Sequence, residues 1–250
     1  MTALKGLALP AALLLAWQLA VMLTGLQSDT IAAPDAIFAA LGRGLTEPAF
    51  WADTGDTLAA GGMGLALGFV LGTMSGVLFG LIPPVGRVMR VTVELLRPLP
   101  AIAILPIALL IFGFGYRLEV AIVAFGTCFP VLVLTEAAVR QIEPRLSEVA
   151  RALALSPGAR VRKIVLPAVL PRLFVALRLA AGIGLIIAIT VEIAANPIGL
   201  GARLMQASNS LRPADMYATL FWIGAIGWAL NWGMLRLQLW LFPATKGAAQ

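Results

Sequence analysis

Residues 57–82 read TLAAGGMGLALGFVLGTMSGVLFGLI, 26 positions without one charged side chain. A bilayer-crossing helix needs about 20 predominantly apolar residues, so the stretch reads as a membrane span. Within it Gly64, Gly68, Gly72, Gly76 and Gly80 recur every fourth residue. Residues four apart share a helix face, and a face stripped of side chains lets a neighbouring helix approach closely. The stripe therefore predicts packing rather than chemistry.

Five further stretches have similar character, at about 6–26, 98–114, 119–139, 173–195 and 216–241. The 98–114 stretch is short and interrupted by Pro98, Pro100 and Pro106. Over the whole chain 60% of residues are hydrophobic and 12% charged, against about 25% charged in soluble domains. Too few charges remain to cover a water-facing surface, and lipid must solvate much of it. The expectation is an all-α polytopic bundle of about six transmembrane helices. The first stretch, with Lys5 ahead of it, could be a signal peptide. Its apolar run continues to Leu26, past the 7–15 residues of a signal core, without a clear cleavage site. It reads as an uncleaved helix. Gly182 with Gly184, and Gly224 with Gly227, are expected to make close contacts like those of the stripe.

Charge sets direction, because cytoplasmic loops retain Lys and Arg. Loop 27–56 has a net charge of −4, segment 83–97 of +2 and segment 140–172 of +5. Six spans with the N-terminus inside put both basic segments and both termini in the cytoplasm. The net +6 is then a topology signal, not a nucleic-acid patch. With no His in the chain, an imidazole base or His-ligated metal is excluded. Cys128, the single cysteine, lies in an apolar stretch that suppresses its thiolate.

Segment 140–172 is long for a connection between membrane helices and is patterned as two short helices. Pro144 suits a first helical turn. Ile142, Leu146, Val149, Ala150 and Leu153 then share one face, with Arg145, Glu148 and Arg151 opposite. Ser156 can cap a second helix that begins at Pro157. Val161, Ile164, Val165 and Ala168 continue the apolar stripe, and Pro167 and Pro171 mark the return toward the membrane. Such a hairpin could lie on anionic headgroups or form a rigid lever gripped by another protein. As a lever it would turn its polar face to that partner and its apolar face to the membrane domain.

This segment resembles the cytoplasmic loop of type I ABC importer permeases, E-A-A, three residues, Gly, nine residues, I-x-L-P. Here Glu148-Val149-Ala150 is followed after three residues by Ala154, then after nine by Ile164-Val165-Leu166-Pro167. Val149 replaces an Ala and Ala154 the Gly. Since Gly suits a left-handed helix end, the turn at Ala154 is expected to be built differently. The stretches Leu96-Arg97-Pro98-Leu99-Pro100, Leu105-Pro106 and Phe112-Gly113-Phe114-Gly115 are similar to permeases of the aliphatic sulfonate, taurine, nitrate and bicarbonate importers. So are Leu177-Arg178-Leu179-Ala180 and Gly199-Leu200-Gly201. Tyr116 stands where many relatives have Glu. The resemblance implies a first helix and periplasmic segment over 1–52, and a type-1 permease domain over 53–242 with its coupling loop at about 140–172. It implies an inner-membrane location and a second permease copy, most simply a homodimer. It further implies ATP-binding cassette ATPases contacted through Glu148, Ala150, Arg151, Ala154, Ser156, Pro157, Ile164, Leu166 and Pro167. A periplasmic or lipid-anchored substrate-binding protein would deliver a small solute, most simply an anion.

A P-loop requires Gly-Lys followed by Ser or Thr. None of the three lysines, Lys5, Lys163 and Lys246, has that context. ATP and Mg are thus expected on the ATPase, with no cofactor in this chain and transport rather than an enzymatic reaction as its task. Within the spans, Glu192 with Asn196 could line the path or simply bond neighbouring helix ends. Pro98, Pro100 and Pro106 break a span, as is tolerated where backbone is buried or lines a cavity. A stand-alone secondary transporter with Glu192 as proton relay is the alternative, and it leaves the long loop without a purpose.

Overall fold

The computed structural model describes residues 2–24 and 30–242, without the side chains of residues 2–7, 10, 11, 24, 144, 147 and 151. Among these residues every regular element is helical: α1 (Thr2–Thr24), α2 (Pro34–Gly44), α3 (Pro48–Leu81), α4 (Pro83–Leu96), a 3-10 turn (Ala101–Ile104), α5 (Leu105–Phe112), α6 (Tyr116–Arg140), α7 (Pro144–Ala152), α8 (Pro157–Arg160), a π turn (Val161–Val165), α9 (Leu166–Ala194), α10 (Gly199–Asn209) and α11 (Pro213–Leu241). Proline occupies the first or second position of α2, α3, α4, α5, α8 and α11. There its missing N–H has no helical partner to lose.

The core is α3, α6 and α9. The glycine stripe of α3 lies flat on α6. A Cβ on Gly64 would stand 2.6 Å from Val123 Cβ, on Gly72 2.5 Å from the Cys128 carbonyl, on Gly76 2.6 Å from the Leu132 carbonyl, and on Gly80 2.7 Å from Val139 Cβ. On Gly68 it would collide with Thr127 Oγ1. Partners rise in number with the glycines, so α3 and α6 run parallel. The chain between them must therefore return across the membrane. The connection is α4, the 3-10 turn and α5, with Pro83–Leu96 and Ala101–Phe112 bent 84° from each other.

Helix α9 runs antiparallel to both. Gly184 lies against Val123 and Thr127, while Val165, Val169 and Leu173 cluster with Ala138 and Val139 at the other end. Helix α11 runs back along α9, with Phe174 and Phe242 ring centroids 5.9 Å apart and Arg178 Nη1 3.4 Å from Gln238 Oε1. Helix α1 leans on this frame through Trp17 against Tyr217, and Gln18 Oε1 accepts the Asp35 N–H at 3.1 Å. Among the described residues four helical runs are long and apolar enough to cross a membrane, and the bent pair makes a fifth. The 23 residues of α1 are also of crossing length, about 34 Å.

Three local readings of the sequence need correction. The 98–114 stretch is not one span, because only Leu105–Phe112 of it is α-helical. Pro98 and Pro100 remove two amide donors and stop α4 at their threshold, whereas Pro106, in the first turn of α5, is harmless. The crossing therefore begins earlier, at Pro83. Secondly, the helix starting at Pro157 is not a separate short element, since Pro157–Ala194 is one 38-residue helical run. Pro167 cannot donate to the Lys163 carbonyl, and the π turn over Val161–Val165 opens the ladder there, with the Leu166 N–H bonded to Val161. Finally, Gly182 and Gly224 face open space, although Gly184 and Gly227 do make contacts.

Candidate functional site

On the side of α6 away from α3, a cleft of about 480 Å³ opens between the 3-10 turn, α6 and α9. Its walls are Arg97, Leu99, Ala101, Ile102, Phe125, Gly126, Phe129 and Pro130, closed by Leu179, Ile183, Ile187 and Thr190 of α9. Pro130 has no N–H, so the Gly126 carbonyl lacks its i+4 donor, and both residues line the cleft. The non-helical stretch between α4 and the 3-10 turn lies on the same wall. Irregular backbone at membrane depth is found where it is buried or borders a water-filled space. Beyond Arg97 lies a second cavity of about 300 Å³, walled by Arg90, Glu94, Arg97, Val133, Glu136 and Arg140 among others.

A polar clasp occupies the opposite end of the bundle. Glu192 is 2% exposed, and its Oε2 accepts the Gly201 N–H at 2.7 Å. Thr57 Oγ1 accepts the Leu200 N–H at 2.9 Å. Carboxylate and hydroxyl thus satisfy the first free amides of α10, where the helix dipole favours negative charge. The Gly199-Leu200-Gly201 turn is glycine-flanked for a steric reason. A side chain on Gly199, at φ +85°, would collide with Glu192, and one on Gly201 would stand 2.6 Å from the Glu192 Cβ. Next to this, Asn196 Nδ2 donates to Glu119 Oε2 at 3.1 Å, and its Oδ1 accepts the Gly115 N–H at 2.7 Å. Glu119 Oε1 and Glu192 Oε1 are left without a hydrogen-bond partner among the described residues. Further out, Arg203 of α10 bonds Glu47 at 2.6 Å and Asp53 at 3.2 Å, with its guanidinium over the Phe50 ring. Burial opposes the Arg203 charge, but the two carboxylates outweigh it and raise its pKa above the ordinary value.

The basic end carries α7. Of its apolar stripe Ala150 is buried, but Leu146, Val149 and Leu153 are 37%, 47% and 64% exposed. The expected burial of this face against the membrane domain is thus limited to Ala150 and to Ile142, which packs half-buried on the Ala138–Val139 cluster. Glu148 is exposed, and the Arg151 side chain lies outside the described residues. The turn after α7 is also corrected. Ala154 adopts φ +47°, and the Leu155 N–H bonds the Ala150 carbonyl at 3.1 Å, the 6→1 bond of a glycine-type helix end. Alanine takes the left-handed conformation in place of glycine, at a cost of about 1–2 kcal/mol. Ser156 Oγ then accepts the Ala159 N–H at 3.3 Å ahead of Pro157. Ile164 and Leu166 are partly buried, the latter beside Val165 and Val169, and Pro167 is exposed.

The residues selected from sequence thus fall in three places. Gly64 to Gly80 form the α3–α6 seam, Glu192 and Asn196 the clasp, and Glu148 to Pro167 the basic end. Pro98 and Pro100 flank Leu99 at the cleft without lining it, and Pro106 begins α5. Sequence reasoning passed over Arg97, Thr57, Glu119 and Gly126. A charge count places Arg97 among the loop charges, and Glu119, an acid opening an apolar run, is the available signal for the clasp.

A bundle of apolar helices with a parallel pair, a broken returning span and an open cleft is that of a polytopic membrane protein. The chain belongs to the family of binding-protein-dependent transport system inner membrane components, which it matches over residues 64–247. It is 30% identical to the bicarbonate transport system permease protein CmpB of Synechococcus elongatus over 79% of this chain and 71% of that one. It is 26% identical to the taurine transport system permease protein TauC of Escherichia coli over 80% and 73%. Among solved structures, an inward-facing MetNI methionine ABC transporter chain shares the fold, with a TM-score of 0.67 at 22% identity over 83% of this chain and 98% of that one. The chain is accordingly a permease subunit of the ABC importer type.

Proposed function

We propose that two copies of this chain form the translocation path of an ATP-driven importer for a small anionic solute, facing each other across the cleft. Loop 27–56 and the clasp lie outside, and both termini with α7 lie in the cytoplasm. ATP and Mg reside on separate ATPase subunits that grip α7, and a substrate-binding protein supplies the solute from outside. The observation that carries this reading is α7 itself. An amphipathic helix that leaves Leu146, Val149 and Leu153 uncovered is joined by ordered turns to one long spanning helix. The solute class follows from relatives named for bicarbonate and taurine, both of which bear a compact anionic group.

Replacing Glu148 with Lys reverses a charge on the exposed face of α7 and leaves the apolar stripe intact. Losing one partner of a buried interface pair costs about 2–5 kcal/mol, and an exposed pair much less. Glu148→Lys protein should insert normally, lose co-purification with the ATPase and stop ATP-driven uptake in reconstituted vesicles. Wild-type binding and transport by this variant would remove Glu148 from the contact. Transport by the wild-type chain without any ATPase would replace the importer with the proton-driven alternative. Against that alternative stands the setting of Glu192, which is enclosed by the α10 turn.

A further inference from the structure

We propose that Arg97 is the charge-selecting residue of the path, the group a small anion meets as it leaves the cleft for the second cavity. The inference rests on the importer reading for its direction of travel, but not for its electrostatics. Arg97 is the one charged residue among the walls of the 480 Å³ cleft, whose other walls are apolar apart from Thr190 and backbone. It is also a wall of the 300 Å³ cavity, so one guanidinium stands at the junction of two spaces. In that second cavity Glu136 is taken by Arg140 at 2.6 Å, which leaves Arg90 and Arg97 opposite Glu94. The Arg97 N–H bonds the Val93 carbonyl at 2.9 Å, but its guanidinium makes no ion pair or hydrogen bond with another described residue.

Position and chemistry agree. The α6 residues sharing the cleft with Arg97 are Phe125, Gly126, Phe129 and Pro130, at the middle of Tyr116–Arg140. An ionised side chain at membrane depth is costly and is retained where it meets water or a counter-charge. Here no acid lines the cleft, so on this proposal the open cleft itself admits the water that solvates the charge. Arginine stays charged and presents a planar fork that matches carboxylate-like and sulfonate-like groups. Helix α4 ends at Arg97, and Pro98 and Pro100 prevent it from continuing. The Arg97 backbone is therefore fixed at the junction, and its exposed side chain is left free to reach either space.

The potential around Arg97 can be read without knowing the solute. In vesicles holding the assembled transporter, Leu99→Cys in a Cys128→Ala background puts a reporter thiol in the cleft. Its modification rates by anionic sulfonatoethyl and cationic trimethylammonioethyl methanethiosulfonate are measured and normalised to those of free cysteine. The anionic reagent should be favoured. Arg97→Gln should lower the normalised ratio about tenfold, as removal of one unit charge a few ångströms away in a partly aqueous site requires, and Arg97→Lys should preserve it. Equal normalised rates in the parent protein overturn the proposal even if no Arg97 variant can be produced. A ratio indifferent to Arg97→Gln, or a thiol that only membrane-permeant N-ethylmaleimide reaches, also overturns it. Failure of the importer reading would appear instead in ATPase co-purification, which leaves these rates untouched.

Discussion

Helix α6 has two faces built on opposite rules. Toward α3 it presents Val123, Thr127, Val131 and Val139 to glycine positions, so closely that an added methyl would strike backbone or Cβ atoms. Toward α9 and the 3-10 turn it presents Phe125, Gly126, Phe129 and Pro130 to an open cleft. Glycine serves both faces for different ends. On α3 it removes side chains so that two helices touch. At Gly126, with Pro130 one turn on, it leaves room and a released carbonyl at the edge of a space. The closed seam fixes the frame, and the freedom a path needs is confined to the other side of the same helix.

The largest expected effect comes from wedging the seam. Gly72→Leu drives its Cβ onto the Cys128 carbonyl and Val131, atoms that cannot rotate away, and should destabilise by about 3 kcal/mol. Size-exclusion chromatography in detergent would show loss of the folded peak, and an unchanged profile would break the contrast between the faces. Next comes the clasp beside the seam's outer end. Glu192→Ala strips the Gly201 N–H of its acceptor in a buried site, which costs about 2 kcal/mol. A thermal-shift assay should report a clearly lower midpoint, and an unaltered one would make the carboxylate dispensable to the frame.

On the open face a comparable addition should be milder. The new methyl of Gly126→Ala meets mainly the flexible end of Ile187, with Ala101 Cβ at 3.1 Å. It should cost about 1 kcal/mol while narrowing the cleft, so uptake should fall more than stability. A collapse as severe as that of Gly72→Leu would show the cleft wall to be as rigid as the seam. The smallest effect is a gain. Ala154→Gly relieves the left-handed alanine but loosens the unfolded chain, for a net stabilisation of about 0.5 kcal/mol. A lowered melting midpoint would contradict the observed turn.

Much of the frame was legible because lipid is an undemanding solvent to read. Length and apolarity reveal a span, and a four-residue glycine period announces a close neighbour without naming it. That the neighbour is α6, and parallel, depends on register between distant segments, which periodicity does not encode. The third crossing differs from the reading because counting apolar residues ignores α4, where Arg87, Arg90 and the capping Arg97 look like a loop. The same count hid Arg97, since a charge tally has no depth coordinate. Ala154 was misread in the opposite sense. Its substitution for glycine suggested another turn, yet the surrounding hydrogen bonds impose the left-handed one. Glu192 was legible as an intramembrane acid, but its role as a cap for α10 required knowing where that helix begins.

The unbroken run from Pro157 to Ala194 has a mechanical consequence. At 1.5 Å per residue its 38 residues make a strut of about 57 Å, with the projecting loop at one end and Glu192 and the α10 turn at the other. A strut transmits angle rather than energy. Pivoted at one end, a tilt of about 5° carries the far end some ~5 Å at that length, close to one helical turn. The strut is loosened at the π turn over Val161–Val165 and again at Pro171, whose missing N–H leaves the Pro167 carbonyl without its donor, and both sit near the driven end. Slack there leaves the stiff remainder of the shaft, beyond Pro171, to deliver the stroke.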